Sequence, residues 1–176
     1  GHSNVAVGYT ALDAEDTGHG STAIGFSALT TQNNDAANYN TAVGYQAGSG
    51  LSTAIYSTLI GAFAGGNATL SGISNQAFGY KALYSTTTGD LNTAVGYEAM
   101  KTNADGDRST AVGYQALFTQ DPSGNADMYN VMVGHIAGYG LTTGVRNIGV
   151  GAGALQSAVT GDDNIGIGNN AGAGLL

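Results

Sequence analysis

Large apolar, small and polar residues follow one another in a fixed order along short segments of this chain. Each segment reads Asn or Ser, Thr, Ala, Val or Ile, Gly, Tyr, any residue, Ala, with few departures. The Val or Ile and the Tyr lie two positions apart, and so do the first Ala and the Gly. An alternation with a period of two predicts a β-strand that has one bulky face and one nearly bare face. A helix is not expected, because the central Gly would cost about 1 kcal/mol relative to Ala in every segment.

The segment occurs ten times, and its central residue is always glycine. These central glycines form the structural ladder that we expect, and they are Gly8, Gly25, Gly44, Gly61, Gly79, Gly96, Gly113, Gly134, Gly151 and Gly168. Most neighbours are 17 residues apart, and the longest interval is 21 residues. The extra residues precede the next segment, for example in 33–35 and 121–125. Cores of fixed length with connections of variable length predict packed elements joined by surface loops.

Further columns of equivalent positions define the repeat. Ala stands three residues after all ten central glycines, and a large apolar residue stands directly before each of them. Asn stands four residues before the glycine in seven segments, and Ser21, Ser57 and Ser109 take this place in the others. Both residue types suit a corner, because their side chains bond the local backbone. The residue after the glycine is aromatic in six segments, namely Tyr9, Phe26, Tyr45, Tyr80, Tyr97 and Tyr114.

The interval between glycines predicts a solenoid. Seventeen extended residues cover about 56 Å at roughly 3.3 Å each, which allows two short strands and two turns per coil. We therefore expect an all-β fold, a parallel β-roll or β-solenoid of about ten coils of 17–21 residues. Residues 1–176 would form a single repeat domain, a fragment of a longer fibrous protein. At about 4.8 Å per coil, the rod would be about 48 Å tall.

The expected coil is thin and has room for only one or two bulky side chains. We expect the Val or Ile and the aromatic residues to fill it, with the tyrosine hydroxyls reaching the surface. The Gly and Ala face then has little to bury within one chain, and it allows another backbone to approach closely. Identical rods would associate through that small face, and we expect a homotrimer around a common axis.

Composition excludes several classes of protein. Charged residues are 9% of the chain and glycines are 30 of 176 residues, whereas an ordinary soluble domain has roughly 25% charged residues. Four Lys and Arg against 12 Asp and Glu give a net charge of -8, so no basic surface for nucleic acid is expected. The chain has no Cys, which excludes disulfides and thiolate metal sites. No apolar run approaches the roughly 18 residues that span a bilayer, so we do not expect this fragment to be embedded in a membrane.

Segments 40–47, 92–99 and 164–168 resemble the head repeats of trimeric autotransporter adhesins, the YadA-like head repeats. They are equally similar to the repeat regions of phage-type tail fibres. The resemblance covers essentially the whole chain, although the adhesin repeat is usually shorter and its aromatic column is less regular. It implies a left-handed parallel β-roll in a homotrimer. It also implies an extracellular location, at a cell surface or on a virion fibre.

Three kinds of binding chemistry are weaker interpretations of the same residues. The aromatic column would stack on sugar rings if it faced outward. The column Thr22, Thr41, Thr58, Thr93 and Thr110 would order water and bind ice if it were continuous, but Val, Ile and Gln interrupt it. Turns 103–107 and 161–164 offer oxygens for Ca²⁺ without completing an EF-hand pattern. We therefore predict no metal site and no cofactor.

No catalytic residue is predicted, and we do not expect an enzyme. His2, His19 and His135 are separated by whole repeats. Glu15, Asp16 and Glu98 would have to meet across coils to make a glycosidase pair. The glycine-rich stretch 149–153 repeats the structural motif and lacks the Lys-Ser or Lys-Thr of a phosphate loop.

The function that follows is structural and adhesive. We expect a module of a surface-displayed trimeric fibre that presents binding surfaces to a host or prey cell. Its ligand would be a glycan or protein of the host surface, contacted through the variable loops 31–39 and 119–129. A carbohydrate-binding or carbohydrate-degrading tailspike or tail-fibre segment is one alternative, and an ice-binding β-solenoid is another.

Overall fold

The computed structural model describes residues 1–35, 37–66, 69–158 and 160–175, and within them it contains twelve β-strands and no helix. Ten strands have three residues each: β1 Val5–Val7, β2 Thr22–Ile24, β3 Thr41–Val43, β4 Thr58–Ile60, β5 Gln76–Phe78, β6 Thr93–Val95, β8 Thr110–Val112, β10 Val131–Val133, β11 Ile148–Val150 and β12 Ile165–Ile167. Two strands have two residues each: β7 Gly106–Asp107 and β9 Ala126–Asp127. Each three-residue strand ends directly before a central glycine.

The ten longer strands form one parallel sheet, in which each strand pairs with the strand of the next coil. The register is constant, so that Thr22 lies level with Thr41 and Ile24 lies level with Val43. Nine turns of chain therefore stack equivalent residues above one another. The predicted all-β parallel solenoid is confirmed, with about nine turns.

The prediction of two strands in every coil is wrong. Only β7 and β9 form a second ladder, and the rest of each coil consists of turns. The reason is that 24 non-glycine residues adopt a left-handed backbone conformation, for example Leu91, Glu98 and Met100 with φ of 59°, 53° and 48°. Each such residue costs about 1–2 kcal/mol. Hydrogen bonds to neighbouring coils offset the cost, as in Glu98 N–H to the Tyr80 carbonyl at 2.9 Å.

The central glycines stand at a corner just after the strand, with φ between 123° and 142°. Their backbones stack directly, because a Cβ on Gly96 would overlap the carbonyl oxygen of Gly113 in the next coil. The alanine column is also enclosed within the chain, and Ala28, Ala99 and Ala116 are fully buried. The expected association through a bare Gly and Ala face is therefore wrong, since that face lines the interior of the chain's own coil.

The core lies between the sheet and the opposite turns. The middle residue of most strands is a buried Ala, and it faces a buried Leu or Met from the turn, such as Leu83, Met100 or Leu117. Two strands have a large middle residue instead, Leu59 and Met132, and glycine then takes the turn position. A Cβ on Gly65 would meet Leu59, and one on Gly138 would meet Met132. The interior thus holds one large side chain per coil.

The asparagine column, the fourth residue before each central glycine, closes the coil. Asn92 donates from Nδ2 to the carbonyl of Gly106, 14 residues later, at 2.7 Å. Its Oδ1 accepts from the amide of Ser109 in the next coil at 3.0 Å. The bond to the carbonyl 14 residues later recurs in Asn4, Asn40, Asn75, Asn130 and Asn147. The predicted corner role is confirmed, although the bonds reach along the coil and into the next one.

Coil length follows this column. Every complete coil that begins with Asn has 17 residues, whereas the coils that begin with Ser21, Ser57 and Ser109 have 19, 18 and 21. A Ser side chain is too short to reach the carbonyl that Asn holds, so the connection is free to lengthen. In two of the Ser coils a buried glutamine takes over, since Asn40 donates to Gln32 Oε1 and Asn130 donates to Gln120 Oε1, each at 2.9 Å.

Candidate functional site

Four columns of side chains point outward from the sheet side of the solenoid. The threonine column and the valine column are the first and third residues of each long strand, and the aromatic column follows the central glycine. The corner column is the fifth residue before that glycine: Ser3, Gly20, Tyr39, Tyr56, Ser74, Leu91, Arg108, Tyr129, Arg146 and Asp163. All four columns are exposed or half-buried along the whole rod. We call these four columns together the apolar face.

The apolar face holds most of the exposed apolar surface of the chain. Twenty-three large hydrophobic side chains are exposed among the described residues, and only Ile73 and Leu175 lie outside the apolar face. Single exposed hydrophobic residues are normal on soluble proteins, but a continuous apolar patch above a few hundred Å² marks an interaction site. The arrangement therefore identifies this face as the candidate functional site.

The sequence-based placement of the bulky residues is wrong. Val95 is 36% exposed and Tyr97 is 44% exposed, whereas Ala94 between β6 and the core is fully buried. The alternation was correctly read as two faces, but the small face is the inner one. The physical reason is the width of the coil, which Ala on one wall and Leu or Met on the other already fill.

The aromatic ladder is a continuous stack along one edge of the apolar face. Its rings are Tyr9, Phe26, Tyr45, Phe63, Tyr80, Tyr97, Tyr114 and His135, with neighbouring centroids 5.1–6.1 Å apart. Ala62 interrupts the aromatic column, and Phe63 from the next position fills the gap with its ring turned edge-on. Most rings lie nearly parallel, so each covers the face of the next. Ring edges and hydroxyls are what the ladder presents, which disfavours stacking on sugar rings.

Charge is concentrated away from the apolar face. Of the 16 charged residues, only Arg108, Arg146 and Asp163 belong to it. Arg146 Nε donates to Asp163 at 2.6 Å, which lowers the pKa of Asp163, so two of these charges neutralise each other. Lys81 borders the face, with its Nζ 5.0–5.7 Å from the ring centroids of Phe63, Tyr80 and Tyr84. Its hydrogen bond to Tyr80 raises the pKa of Lys81.

Glu98, the candidate acid of a glycosidase pair, is held in a structural arrangement. Its carboxylate accepts from Lys101 Nζ and from Gln115 Nε2, both at 2.8 Å. Burial raises the pKa of Glu98, but the bonds from Lys101 and Gln115 outweigh burial and leave the pKa below its usual value. Glu15 lies five coils away, about 24 Å at 4.8 Å per coil, whereas glycosidase carboxyls are roughly 5–10 Å apart.

The other acidic candidates also bond within or between coils. Asp105 accepts from the hydroxyls of Thr87 and Thr88, and the Thr87 bond chiefly lowers its pKa. Asp107 accepts from the Asp90 amide at 2.7 Å, and burial raises its pKa. In the second Asp-rich turn, Asp162 accepts from the Val145 amide at 2.9 Å. No group of three or more His, Asp or Glu suited to a metal ion occurs among the described residues.

The histidines and the variable loops complete the set of predicted residues. His2 stacks on His19 at 4.4 Å, and His135 stacks on Tyr114 at 5.1 Å. In loop 119–129, β9 pairs with β7 of the previous coil. In loop 31–39, residue 36 lies outside the described residues, and Ala37 forms a bridge with His19. Both loops leave the coil from a buried glutamine, at Gln32 and Gln120.

Comparisons with protein-family models, with curated proteins and with solved structures find no match to this chain. No helix long and apolar enough to cross a membrane occurs in the described part of the chain. The candidate site therefore stands on its own geometry: a flat, weakly charged apolar face along the full length of the rod. The corner column and its exposure were missed at the sequence level, although the recurrence of Tyr, Leu and Arg five residues before the glycine was a usable signal.

Proposed function

We propose that the chain is a structural and adhesive module of a surface-displayed fibre, built from three copies of a left-handed β-roll that pack through their apolar faces. The observation that carries the proposal is the concentration of exposed hydrophobic side chains on one side of the rod, with 21 of 23 in four columns. The fibre would be extracellular, at a cell surface or on a virion. The resemblance of the repeats to adhesin heads and tail fibres supports the same assignment.

The size of the apolar face suits a protein partner. Nine steps of about 4.8 Å make it about 43 Å tall, and six residues across make it roughly 20 Å wide. The product is on the order of 800 Å², which is about what each partner buries in a stable complex. A second copy of the chain is the occupant that fits best, since only a stack with the same rise per coil stays in phase over nine steps.

The proposed module works mechanically. Backbone ladders, the stacked central glycines and the asparagine column bond each coil to the next, which makes a stiff rod with nearest-neighbour stability. The charged and variable loops lie away from the apolar face and stay exposed in the assembly. They would present the surfaces that recognise a host glycan or protein, with loops 31–39 and 119–129 as the longest.

The assembly is tested by replacing Val95 and Val112, which are paired neighbours in the valine column, with Glu. Two like charges in the middle of the apolar face should convert a trimer into monomers in sedimentation velocity while the β-type circular dichroism is retained. The matched control Asn33→Glu, in an exposed loop, should leave the trimer intact. A parent chain that sediments as a stable 17.4 kDa monomer contradicts the proposal.

Ice binding is a second candidate, favoured by the outward orientation of the threonine and valine columns. Thr93 and Thr110 lie level on the exposed side of a ten-stranded flat sheet. A measurable thermal hysteresis that Thr93→Tyr abolishes and Asn33→Ala preserves would support this function. Ice crystals that grow normally in a concentrated solution of the chain would rule it out.

A further inference from the structure

We infer that, in the assembly, the corner column of one copy packs against the aromatic ladder of the next copy at the same height. This inference rests on the proposed homo-oligomer and specifies its contact. It assigns the two edges of the apolar face to each other and gives the aromatic ladder a role between chains in addition to its role within one chain.

The two edges of the apolar face are chemically different. In the sixth coil, Leu91 of the corner column stands at one edge and Tyr97 of the aromatic ladder stands at the other. The three residues of β6 separate them and extend about 10 Å, so the two side chains do not meet within one chain. Both are exposed, Leu91 by 46% and Tyr97 by 44%. Each edge therefore needs a partner from outside the chain.

Rod direction decides which edges meet. When parallel rods are related by rotation about an axis along the rods, the left edge of each face meets the right edge of its neighbour. When rods run antiparallel across a two-fold axis, like edges meet. A fibre that displays its copies in one direction requires parallel rods, and closed cyclic symmetry leaves no axial shift between them. Unlike edges then meet coil by coil.

The side chains on the two edges are compatible at equal height. Arg108 and Tyr114 share a coil on opposite edges, so the guanidinium of one copy would face a ring edge or face of the next. Tyr56, which is 50% exposed, stands opposite Ala62, the small residue that interrupts the aromatic column. Arg146 likewise stands opposite Ala152. A large corner residue thus meets the place where the aromatic column is lowest.

Charge supports the same packing. The copies each carry a net charge of -8, and 13 of the 16 charged residues lie off the apolar face. Bringing the faces together leaves those charges on the outside of the assembly, where water and salt screen them. Of the 16, only Arg108 and the Arg146–Asp163 pair approach the contact between edges.

The absence of Cys from the chain allows a direct test by cross-linking. The double variant Leu91→Cys with Tyr97→Cys is treated with a short bismaleimide, whose spacer replaces the two removed side chains. We expect a covalent trimer on a denaturing gel, because each copy links to both neighbours. Each single variant alone should stay monomeric on the gel, and a mixture of the two single variants should give covalent dimers. A link within one chain gives no covalent oligomer and does not imitate this result.

A second rung and a control make the result independent of one substitution. Ser74→Cys with Tyr80→Cys tests the fifth coil and should also give the covalent trimer. Asn33→Cys, away from the face, should show only the background of random collision. Dimers from Tyr97→Cys alone would overturn the inference and indicate antiparallel packing. So would an oligomer in sedimentation that neither double variant links, whereas a monomer in sedimentation would overturn the proposed function itself.

Discussion

At the scale of the residue, the central glycines are the positions with least freedom to change. Gly96 has φ of 135° and its backbone lies against that of Gly113 in the next coil. A side chain there meets two separate obstacles: the backbone conformation and the overlap with a neighbouring carbonyl. The left-handed positions of Leu91, Glu98 and Met100 meet only the first, and ordinary residues occupy them.

Gly96→Ala should therefore lower the free energy of unfolding by about 3 kcal/mol or more, from backbone strain together with overlap. The matched control is Gly124→Ala, whose φ is 92° and whose Cβ would meet no atom within 4 Å. It keeps the strain without the overlap, so about 1–2 kcal/mol is expected. Urea unfolding of the two variants measures the difference, and equal losses would contradict the stacked-glycine explanation.

Two neighbouring carboxyls should change stability with pH in opposite directions. The pKa of Asp105 is lowered by the Thr87 hydrogen bond, so its contribution is present above the unfolded pKa and is lost as the pH falls. The pKa of Asp107 is raised by burial, so its charge is unfavourable at neutral pH, and acid relieves it. Asp105→Asn should be less stable than the parent at pH 7, and Asp107→Asn should be more stable.

Both differences should shrink toward zero as the pH falls below the unfolded pKa of Asp, near 3.9. Unfolding free energies between pH 3 and pH 7 measure them. The same sign for both variants at pH 7 would show that burial does not govern Asp107.

At the scale of the element, one coil is closed by one side chain. Asn92 satisfies the buried Gly106 carbonyl and the buried Ser109 amide, and no strand pairing does this work at the corner. The asparagine column thus links a residue type to coil length, which explains why insertions occur only in coils that begin with Ser.

Asn92→Ala should lower the free energy of unfolding by about 2–4 kcal/mol, because it leaves two buried backbone groups without partners. Asn92→Ser should lose less, since a Ser hydroxyl in this column still accepts from the next coil, as Ser57 Oγ does from the Asn75 amide at 3.2 Å. Chemical denaturation gives both values. An Ala variant as stable as the Ser variant would show that the column does not carry the corner.

At the scale of the whole molecule, the solenoid is a sum of nearly equivalent coils. Each long strand contacts only its two neighbours in the sheet, so stability depends on contacts between adjacent coils. Removing residues 92–108, which are one complete 17-residue coil, would place Ser109 on Asn75 and Tyr114 on Tyr80. All columns would stay in register.

The deletion of 92–108 should fold, with a denaturant m-value lower by roughly a tenth because one coil less is exposed on unfolding. Deletion of 92–107, one residue shorter, should not fold to the same structure, because every column above the joint shifts by one position and exchanges inner for outer faces. Circular dichroism and unfolding curves distinguish the two. A 16-residue deletion that unfolds like the 17-residue deletion would contradict a strict register.

The sequence predicted the repeat, the strand positions and the parallel stacking because these depend on period alone. The strands fall on Thr93–Val95 and its equivalents, as the alternation indicated. It did not predict the single strand per coil, since the left-handed residues Leu91, Glu98 and Met100 carry no distinctive composition. Nor did it predict the exchange of Leu59 for Gly65, because that compensation links the sheet to the turn that faces it across the core. The oligomer, the fibre function and the family resemblance stay predictions that the proposed experiments test.

The sequence by itself determined that residues such as Val95 and Tyr97 share one face of the chain and Ala94 and Gly96 the other. Only the tertiary structure decided which face is inside. A period of two distinguishes two faces without naming the inner one, and here the usual rule that bulky apolar residues go inside fails. The turn opposite the sheet supplies one large side chain per coil, and that side chain together with Ala fills the available width. The bulky face is left outside, where a partner has to cover it.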